Sequence, residues 1–337
     1  MSKSPDGSAT EAPKTGTCSL EIHGSEGWSE RAKVPCPKDG TVSFLLSGDI
    51  GLPTEILGMT VRASMDWCST NECDLGLLPG DVLYDDGARA ATYWPVIWDG
   101  GFSHLGIPFA LVLGNHEYRH EPNSPKKRAV LLEADGREGL ISPGPSYALR
   151  LLGPDGEALV AIAAVDTDSV SNPIPSMPGL GEDALTAACG TGAPVVWVGH
   201  HPPSSQGLHH THEAHVETAL RARLSKLVAD GCKVATATAG HDHDLQAYGP
   251  GCESEGTPGV IVAGPGSKGF RPPGPTHLSP CPADSDAVSR YFAGPRLTGG
   301  FAWFTVKGTD AGGTVEVKLV EATADGSVVK STDSWTF

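Results

Sequence analysis

Several segments of the chain share one pattern, a continuous apolar run that stops abruptly in polar or ionisable residues. They are TVSFLLSGD (41–49), IPFALVLGNHE (107–117), ALVAIAAVDTD (158–168), APVVWVGHHPP (193–203) and CKVATATAGHDH (232–243). Runs of this kind suit central strands covered on both faces. Between the last two, VETALRARLSKLVADG (216–231) places Leu220, Leu224, Leu227 and Val228 at helical spacing, with Gly231 as terminator. Strand, helix and strand in that order predict an α/β unit. Toward the C-terminus, GVIVAG, GGFAWFTV, GTVEVKLVEA and VVKSTDSWTF follow one another with no helical pattern between them, which predicts a second, antiparallel sheet. The section from Cys18 to Pro37 reads as irregular, and the span from Gly264 to Pro295 as a long Pro- and Gly-rich loop.

A chain of 337 residues can build one large domain or two small ones, and 39% hydrophobic residues supply a core. No run of about 18 apolar residues is present, so no membrane-spanning helix is expected. Lys+Arg 24 against Asp+Glu 40 gives a net charge of -16, with no basic stripe to interrupt it. Such a surface repels a nucleic-acid backbone, and no nucleic-acid partner is expected. An anionic substrate has to be drawn by a local positive centre, such as a metal.

The eight cysteines show no zinc-like CxxC spacing, and their even number predicts disulfides. That places the chain in an oxidising compartment, secreted or periplasmic rather than cytoplasmic; buried free thiols are the alternative. Cys68 with Cys73, across the short loop STNE, is the simplest pair. Cys18 with Cys36 and Cys252 with Cys281 are the staples expected for the irregular section and the long loop. Residues 1–17 lack an apolar signal core and read as a disordered polar tail.

The polar residues at the predicted strand ends are Asp49, Asp81, Tyr84, Asn115, His116, His200, His201, His241 and His243. In open α/β sheets, ligands gather beyond the carboxyl ends of the strands. This set is rich in oxygen and imidazole nitrogen and contains no cysteine, the composition of a hydrolytic metal site. His241 and His243 alternate along an extended segment, point the same way and can serve two adjacent ions. Asn115 offers an amide oxygen, and Asp81 a carboxylate able to bridge. Two-metal clamps, with ions roughly 3.5–4 Å apart, suit phosphate-ester hydrolysis.

Asp49, GD at 80–81, GNHE at 114–117, GH at 199–200 and GHDH at 240–243 resemble the five ordered motifs of calcineurin-like metallophosphoesterases. Most members of that superfamily begin with Asp-x-His; here the sequence is DIG, with Gly51 at the third position. Tyr84, three residues after Asp81, resembles the tyrosine of purple acid phosphatases, whose phenolate replaces that imidazole and selects ferric iron. LPGDVLYDDG (78–87) is similar to their GDNFY element, although VLY stands for NFY and DIG for the usual DWG. The resemblance covers the chain from about Val42 onward and is strongest to the short, tartrate-resistant-like branch.

It implies an α/β fold, a four-layer α/β/β/α sandwich of two mixed sheets flanked by helices, with residues 18–337 as one catalytic domain. Carried over, Fe(III) would bind Asp49, Asp81, Tyr84 and His243. A divalent ion, Fe(II), Zn(II) or Mn(II), would bind Asp81, Asn115, His200 and His241. The implied reaction is attack of a metal-bound hydroxide on a small-molecule phosphate monoester, with His116 as proton donor or phosphoryl contact. His209, nine residues after His200, matches a second substrate histidine; its neighbour His210 is the alternative. A phosphodiesterase or nucleotide hydrolase of the same superfamily, and a non-catalytic metal-binding surface protein, are the competing readings. His201, His212 and His215 are expected at the surface without a role, and Asp166 and Asp168 as strand-end acids outside the metal set. Asp242 is expected to face away from the metals and orient an imidazole, and Asp85 and Asp86 to cap a helix. The charged loop from Arg119 to Gly144 is expected exposed near the site, where it would shape substrate choice.

Overall fold

The computed structural model describes residues 16–84, 93–118, 134, 136–168, 181–252, 254–271, 281 and 288–337, excluding the side chains of residues 211 and 212. The N-terminal tail, Asp85, Asp86 and most of the loop after Tyr118 lie outside these residues.

The strands are β1 (Thr17–Gly24), β2 (Gly27–Pro35), β3 (Thr41–Leu46), β4 (Leu75–Pro79), β5 (Phe109–Val112), β6 (Leu140–Ile141), β7 (Tyr147–Leu152) and β8 (Ala158–Ala164). Then follow β9 (Val195–Val198), β10 (Val234–Ala239), β11 (Leu245–Tyr248), β12 (Gly259–Ala263), β13 (Ser289–Phe292), β14 (Gly299–Thr309), β15 (Gly312–Thr323) and β16 (Gly326–Thr336). The helices are α1 (Glu55–Thr70), the single turn α2 (Asn115–Tyr118), α3 (Glu182–Cys189) and α4 (His210–Ala229).

Two mixed sheets result. One has nine strands in the order β13-β11-β12-β10-β9-β8-β7-β1-β2, the other seven in the order β16-β15-β14-β3-β4-β5-β6. Strands β8, β9, β10 and β12 run parallel in the first, and β3 to β6 in the second.

The period of two along each strand sorts side chains between layers. Val42, Phe44 and Leu46 of β3 share one core cluster with Val160 and Ile162 of β8 and Val196 and Val198 of β9, so this apolar layer lies between the sheets. The intervening Leu45 turns to the opposite face, where it joins Leu57, Val61 and Trp67 of α1. Val195 and Trp197 of β9 likewise turn outward to meet Leu185 of α3 and Leu220, Leu224 and Leu227 of α4. Helix, sheet, sheet and helix thus stack in four layers, as the motif resemblance implies. Full burial of each Val, Leu or Phe contributes about 1.5–3 kcal/mol, and continuous apolar runs are what two covered faces require.

Several sequence expectations are corrected, among them the span from Gly264 to Pro295, which is not all loop but contains β13 at the edge of the nine-stranded sheet. GVIVAG does not join the C-terminal antiparallel strands; as β12 it pairs in parallel with β10 in the nine-stranded sheet, because both of its faces are covered. The section from Cys18 to Pro37 is not irregular but contains the antiparallel hairpin of β1 and β2, at the edge of that sheet. Its alternation is blurred because an edge hairpin is only partly covered. Leu140–Ile141, within the loop expected to be exposed, is instead a buried strand against β5. The helix at 216–231 is present but begins a turn and a half earlier, at His210, and ends before Gly231 at φ 92°.

Four disulfides tie neighbouring segments: Cys18–Cys36, Cys68–Cys73, Cys189–Cys232 and Cys252–Cys281. They fit an oxidising compartment. Among the described residues, no helix is long and apolar enough to cross a membrane.

Candidate metal centre

The parallel strands of both sheets end at one edge, and the loops leaving β3, β4, β5, β9 and β10 meet there. The approach is close. Backbone hydrogen bonds run from Asp49 N to Gly80 O (3.1 Å), from Gly48 N to Ala263 O (2.7 Å) and from Gly240 N to His200 O (3.1 Å). A Cβ on Gly240 would lie 2.6 Å from Asp49 Oδ2, so only glycine fits between the two loops. Asp49, Asp81 and His241 all adopt left-handed backbone, with φ 58°, 51° and 67°. For residues with a Cβ this costs about 1–2 kcal/mol each, a strain characteristic of functional loops.

All seven metal-ligand candidates come together. On one side Tyr84 Oη lies 2.6 Å from Asp49 Oδ1 and 3.3 Å from His243 Nε2, and His243 Nε2 is 3.3 Å from Asp49 Oδ1. On the other, His200 Nε2 lies 2.9 Å from Asn115 Oδ1, 3.1 Å from His241 Nδ1 and 3.5 Å from Asp81 Oδ1. Ligand-type atoms of Asp49, Asp81 and His200 fall within 4.8 Å of one another and join the two sides. All of these residues except Asn115 are buried.

Proton positions show why a cation fits. His200 Nδ1 lies 2.8 Å from the Pro79 carbonyl, which only accepts, so Nδ1 carries a proton and in the neutral ring Nε2 is a bare lone pair. That lone pair faces the acceptors Asn115 Oδ1 and Asp81 Oδ1 and the ring nitrogen of His241. Electron pairs converging in a buried space repel, and a positive ion is what makes the arrangement favourable. The donor set, carboxylate, phenol, amide and imidazole, suits iron, zinc or manganese.

Titration behaviour agrees. Burial, with His200 and His209 nearby, pushes His241 down to about 3. Burial also lowers His243, so both imidazoles are held neutral, the form that binds a metal. Burial alone would raise the Asp49 carboxyl, but its bond to His243, the neighbouring His243 and His200 imidazoles and the Tyr84 hydroxyl outweigh this and hold it well below the carboxylate range. Burial opposes charge on His200 too, yet Asp81 and Asp49 prevail and raise its pKa, so that without a metal a proton on Nε2 is the positive charge these acceptors favour. Burial, then Asp49 and Asp81, push the Tyr84 phenol well above its ordinary value. Without a cation, that phenol keeps its proton and donates it to Asp49.

Of the two substrate-histidine candidates, His116 follows Asn115 in α2. Its backbone N–H donates to Asp81 Oδ1 (2.9 Å), and its ring meets that of Tyr84 edge-on at 4.5 Å. His209 lies against His241, with ring centres 4.2 Å apart. Asp242 Oδ1 accepts from the His209 backbone N–H (3.0 Å) and lies 3.1 Å from His209 Nδ1. Burial would lower His209, but the Asp242 carboxylate outweighs it and raises the imidazole. Asp242 therefore orients an imidazole, as expected. His210 turns instead to Glu217, with Nδ1 2.9 Å from Oε1.

His215 is exposed, but His201 is not the surface residue expected. It is 1% exposed, held beneath His200 by Thr167, whose hydroxyl accepts both histidines' backbone N–H groups. Two glutamates went unassigned in the sequence. Glu117, the last residue of GNHE, accepts the backbone N–H groups of Asp81 (3.0 Å), Leu83 (2.9 Å) and Gly114 (2.6 Å), and so clamps two ligand-bearing loops together. Its signal was its place inside a motif. Glu213 Oε2 lies 2.7 Å from His241 Nε2; nothing in the sequence beyond its position four residues after His209 marks it.

Compared with curated protein sequences, the chain has no significant match. By structure it is similar to GAP50, the anchor in the inner membrane complex of Plasmodium, with 18% identity and a TM-score of 0.62 over 88% of this chain and 89% of that one. It is also similar to PhoD, with 13% identity and a TM-score of 0.54 over 95% of this chain and 83% of that one. At such identities the likeness is one of fold. The family described as calcineurin-like phosphoesterase matches residues 44–245, more than half of the 337 residues. With its sandwich fold and its converging ligand atoms, the chain belongs to the calcineurin-like phosphoesterase family, whose members use dinuclear metal centres.

Proposed function

We propose that the chain is a dinuclear phosphatase of the purple acid type, acting on small-molecule phosphate monoesters at acidic pH. The observation that carries this reading is the pairing of Tyr84 with Gly51. Tyr84 Oη sits between Asp49 Oδ1 and His243 Nε2. A Cβ on Gly51 would lie 2.7 Å from Leu83 N and 2.8 Å from Asp81 O and Val82 C, so the imidazole usual at that position has no room. A strong Lewis acid bound between Tyr84, Asp49 and His243 would displace the proton that Tyr84 donates to Asp49, and a phenolate ligand favours ferric iron in the first site.

Asp49, Tyr84 and His243 would hold that ion and Asn115, His200 and His241 a divalent one, with Asp81 available to both. Ions bound there supply Lewis-acid activation of water and of the phosphoryl group. His116, in ring contact with Tyr84, delivers the proton to the leaving alcohol. His209, whose protonated form the Asp242 carboxylate favours, binds the phosphate. Attraction of the phosphate would come from the bound cations rather than from the acidic surface.

A fold shared with an anchor protein gives substance to a non-catalytic alternative, and His116 separates the two. In metal-loaded protein, His116→Ala is expected to lower kcat for an aryl phosphate by about 10²–10⁴-fold while metal content stays unchanged. Full activity in that variant would refute the assignment, and faster turnover of a bis-aryl phosphate than of the monoester would favour a diesterase. Secretion or export to a periplasm fits the four disulfides; free thiols found on denaturation of the native protein would contradict it.

A further inference from the structure

Beside the seven candidate ligands lies a second group of ligand-type atoms. Those of His201, Glu213 and His241 fall within 4.8 Å of one another, beside a space of ≈ 10 Å³ that His209 and His210 also line. The composition invites a third cation, but the valence of Thr167 argues against one. Thr167 Oγ1 accepts the backbone N–H groups of His200 (3.2 Å) and His201 (3.0 Å), which fills both of its lone pairs. Its own proton therefore goes to His201 Nδ1, 2.9 Å away. A neutral imidazole that accepts at Nδ1 carries its proton on Nε2. His201 thus turns an N–H, not a lone pair, toward Glu213 Oε2 at 3.9 Å, and that nitrogen has no hydrogen-bond partner among the described residues.

The same carboxylate oxygen lies 2.7 Å from His241 Nε2. A carboxylate accepts, so His241 also carries its proton on Nε2 and leaves Nδ1 bare, 3.1 Å from His200 Nε2. Glu213 comes from the first turn of α4, at the point where the helical path breaks, with φ -122° and ψ 19°. We propose that Glu213 is a positioning residue that locks His241 in the Nε2–H form and aims its Nδ1 lone pair into the divalent site, with the His201 N–H favouring the carboxylate's charge. The proposal rests on the two-cation reading above. Carboxylates that hold a ligand's second nitrogen fix its tautomer and raise its basicity, and their loss typically costs 10–100-fold in metal affinity.

Zn(II) competition titrations and ring-¹⁵N spectra of chelator-treated protein test it. Glu213→Ala is expected to weaken one of two Zn(II) ions by about 10–100-fold, leave the other unchanged and give His241 a mixture of tautomers. Glu213→Gln, which keeps an acceptor, should restore the single tautomer and most of the affinity. A residue serving only the helix bend would leave the His241 tautomer unchanged in both. Two tightly bound ions and an unaltered tautomer in Glu213→Ala would overturn the role of Glu213 alone. Three bound Zn(II) ions, the third lost in His201→Ala, would overturn it in favour of a third metal site. Wild-type protein taking up no Zn(II) would overturn the two-cation reading and this proposal together.

Discussion

Glu117 offers the most quantitative test of how the centre is held. Its carboxyl group, 1% exposed, accepts three backbone N–H groups, two on the loop after β4 and one on the loop after β5. Glu117→Ala leaves all three donors unpaired in a buried space. At about 1–3 kcal/mol per orphaned donor, the lower bound is about 3 kcal/mol. Water entering the vacated volume re-satisfies part of the loss, so about 3–5 kcal/mol is expected. Glu117→Gln keeps one oxygen, but its NH₂ must face at least one of the donors, at a cost of about 1–3 kcal/mol. Asp81 also depends on the clamp, because its left-handed backbone at φ 51° relaxes once its N–H is released. Urea unfolding of chelator-treated, disulfide-intact protein gives both differences from the midpoints and slopes, and metal titration reports the effect on Asp81. A loss under about 1 kcal/mol in Glu117→Ala, with wild-type metal affinity, would refute the clamp.

Acid stability tests Asp242, whose carboxyl is brought down from 3.8 to about 2: burial opposes this, and the His209 bond and the charges of His241 and His209 outweigh it. A depressed carboxyl contributes stability that is present above 3.8 and lost as pH falls toward about 2. Its size is on the order of 2 kcal/mol. The stability gap between wild type and Asp242→Asn, followed by thermal unfolding against pH, should therefore be widest above that window and close through it; a pH-independent gap would contradict the pairing. Gly51→Ala is expected to destabilise by about 1–3 kcal/mol, because its Cβ meets backbone rather than a movable side chain. For the same reason Gly51→His should fail to restore metal binding to Tyr84→Phe, and recovery of the first ion in the double variant would show that the loop has room.

Much of the centre was legible because apolar runs ending in GD, GNH, GH and GHDH mark strands buried on both faces, and their ends share one edge. What the sequence could not show was which sheet each strand joins. β12 and β14 carry similar apolar runs, yet one pairs in parallel in the nine-stranded sheet and the other antiparallel in the seven-stranded one. The β1 and β2 hairpin escaped notice because an edge position relaxes the alternation that signals a strand. The burial of His201 is not legible in the sequence because it depends on a partner, Thr167, thirty-odd positions away. Glu117 and Glu213 act through backbone N–H groups and a ring nitrogen, contacts with no spacing rule. Likewise His209 and His210 are equivalent in sequence, and the difference between them is the placement of Asp242 and Glu217.

The central claim is that Tyr84 binds ferric iron beside a divalent ion. It is tested most directly by the visible absorption spectrum of the purified protein, with metal analysis of the same sample. A tyrosinate-to-iron charge-transfer band that vanishes in Tyr84→Phe, together with one iron and a second metal per chain, is the expected result. A colourless protein carrying two zinc or two manganese ions, or a band that survives in Tyr84→Phe, would contradict it.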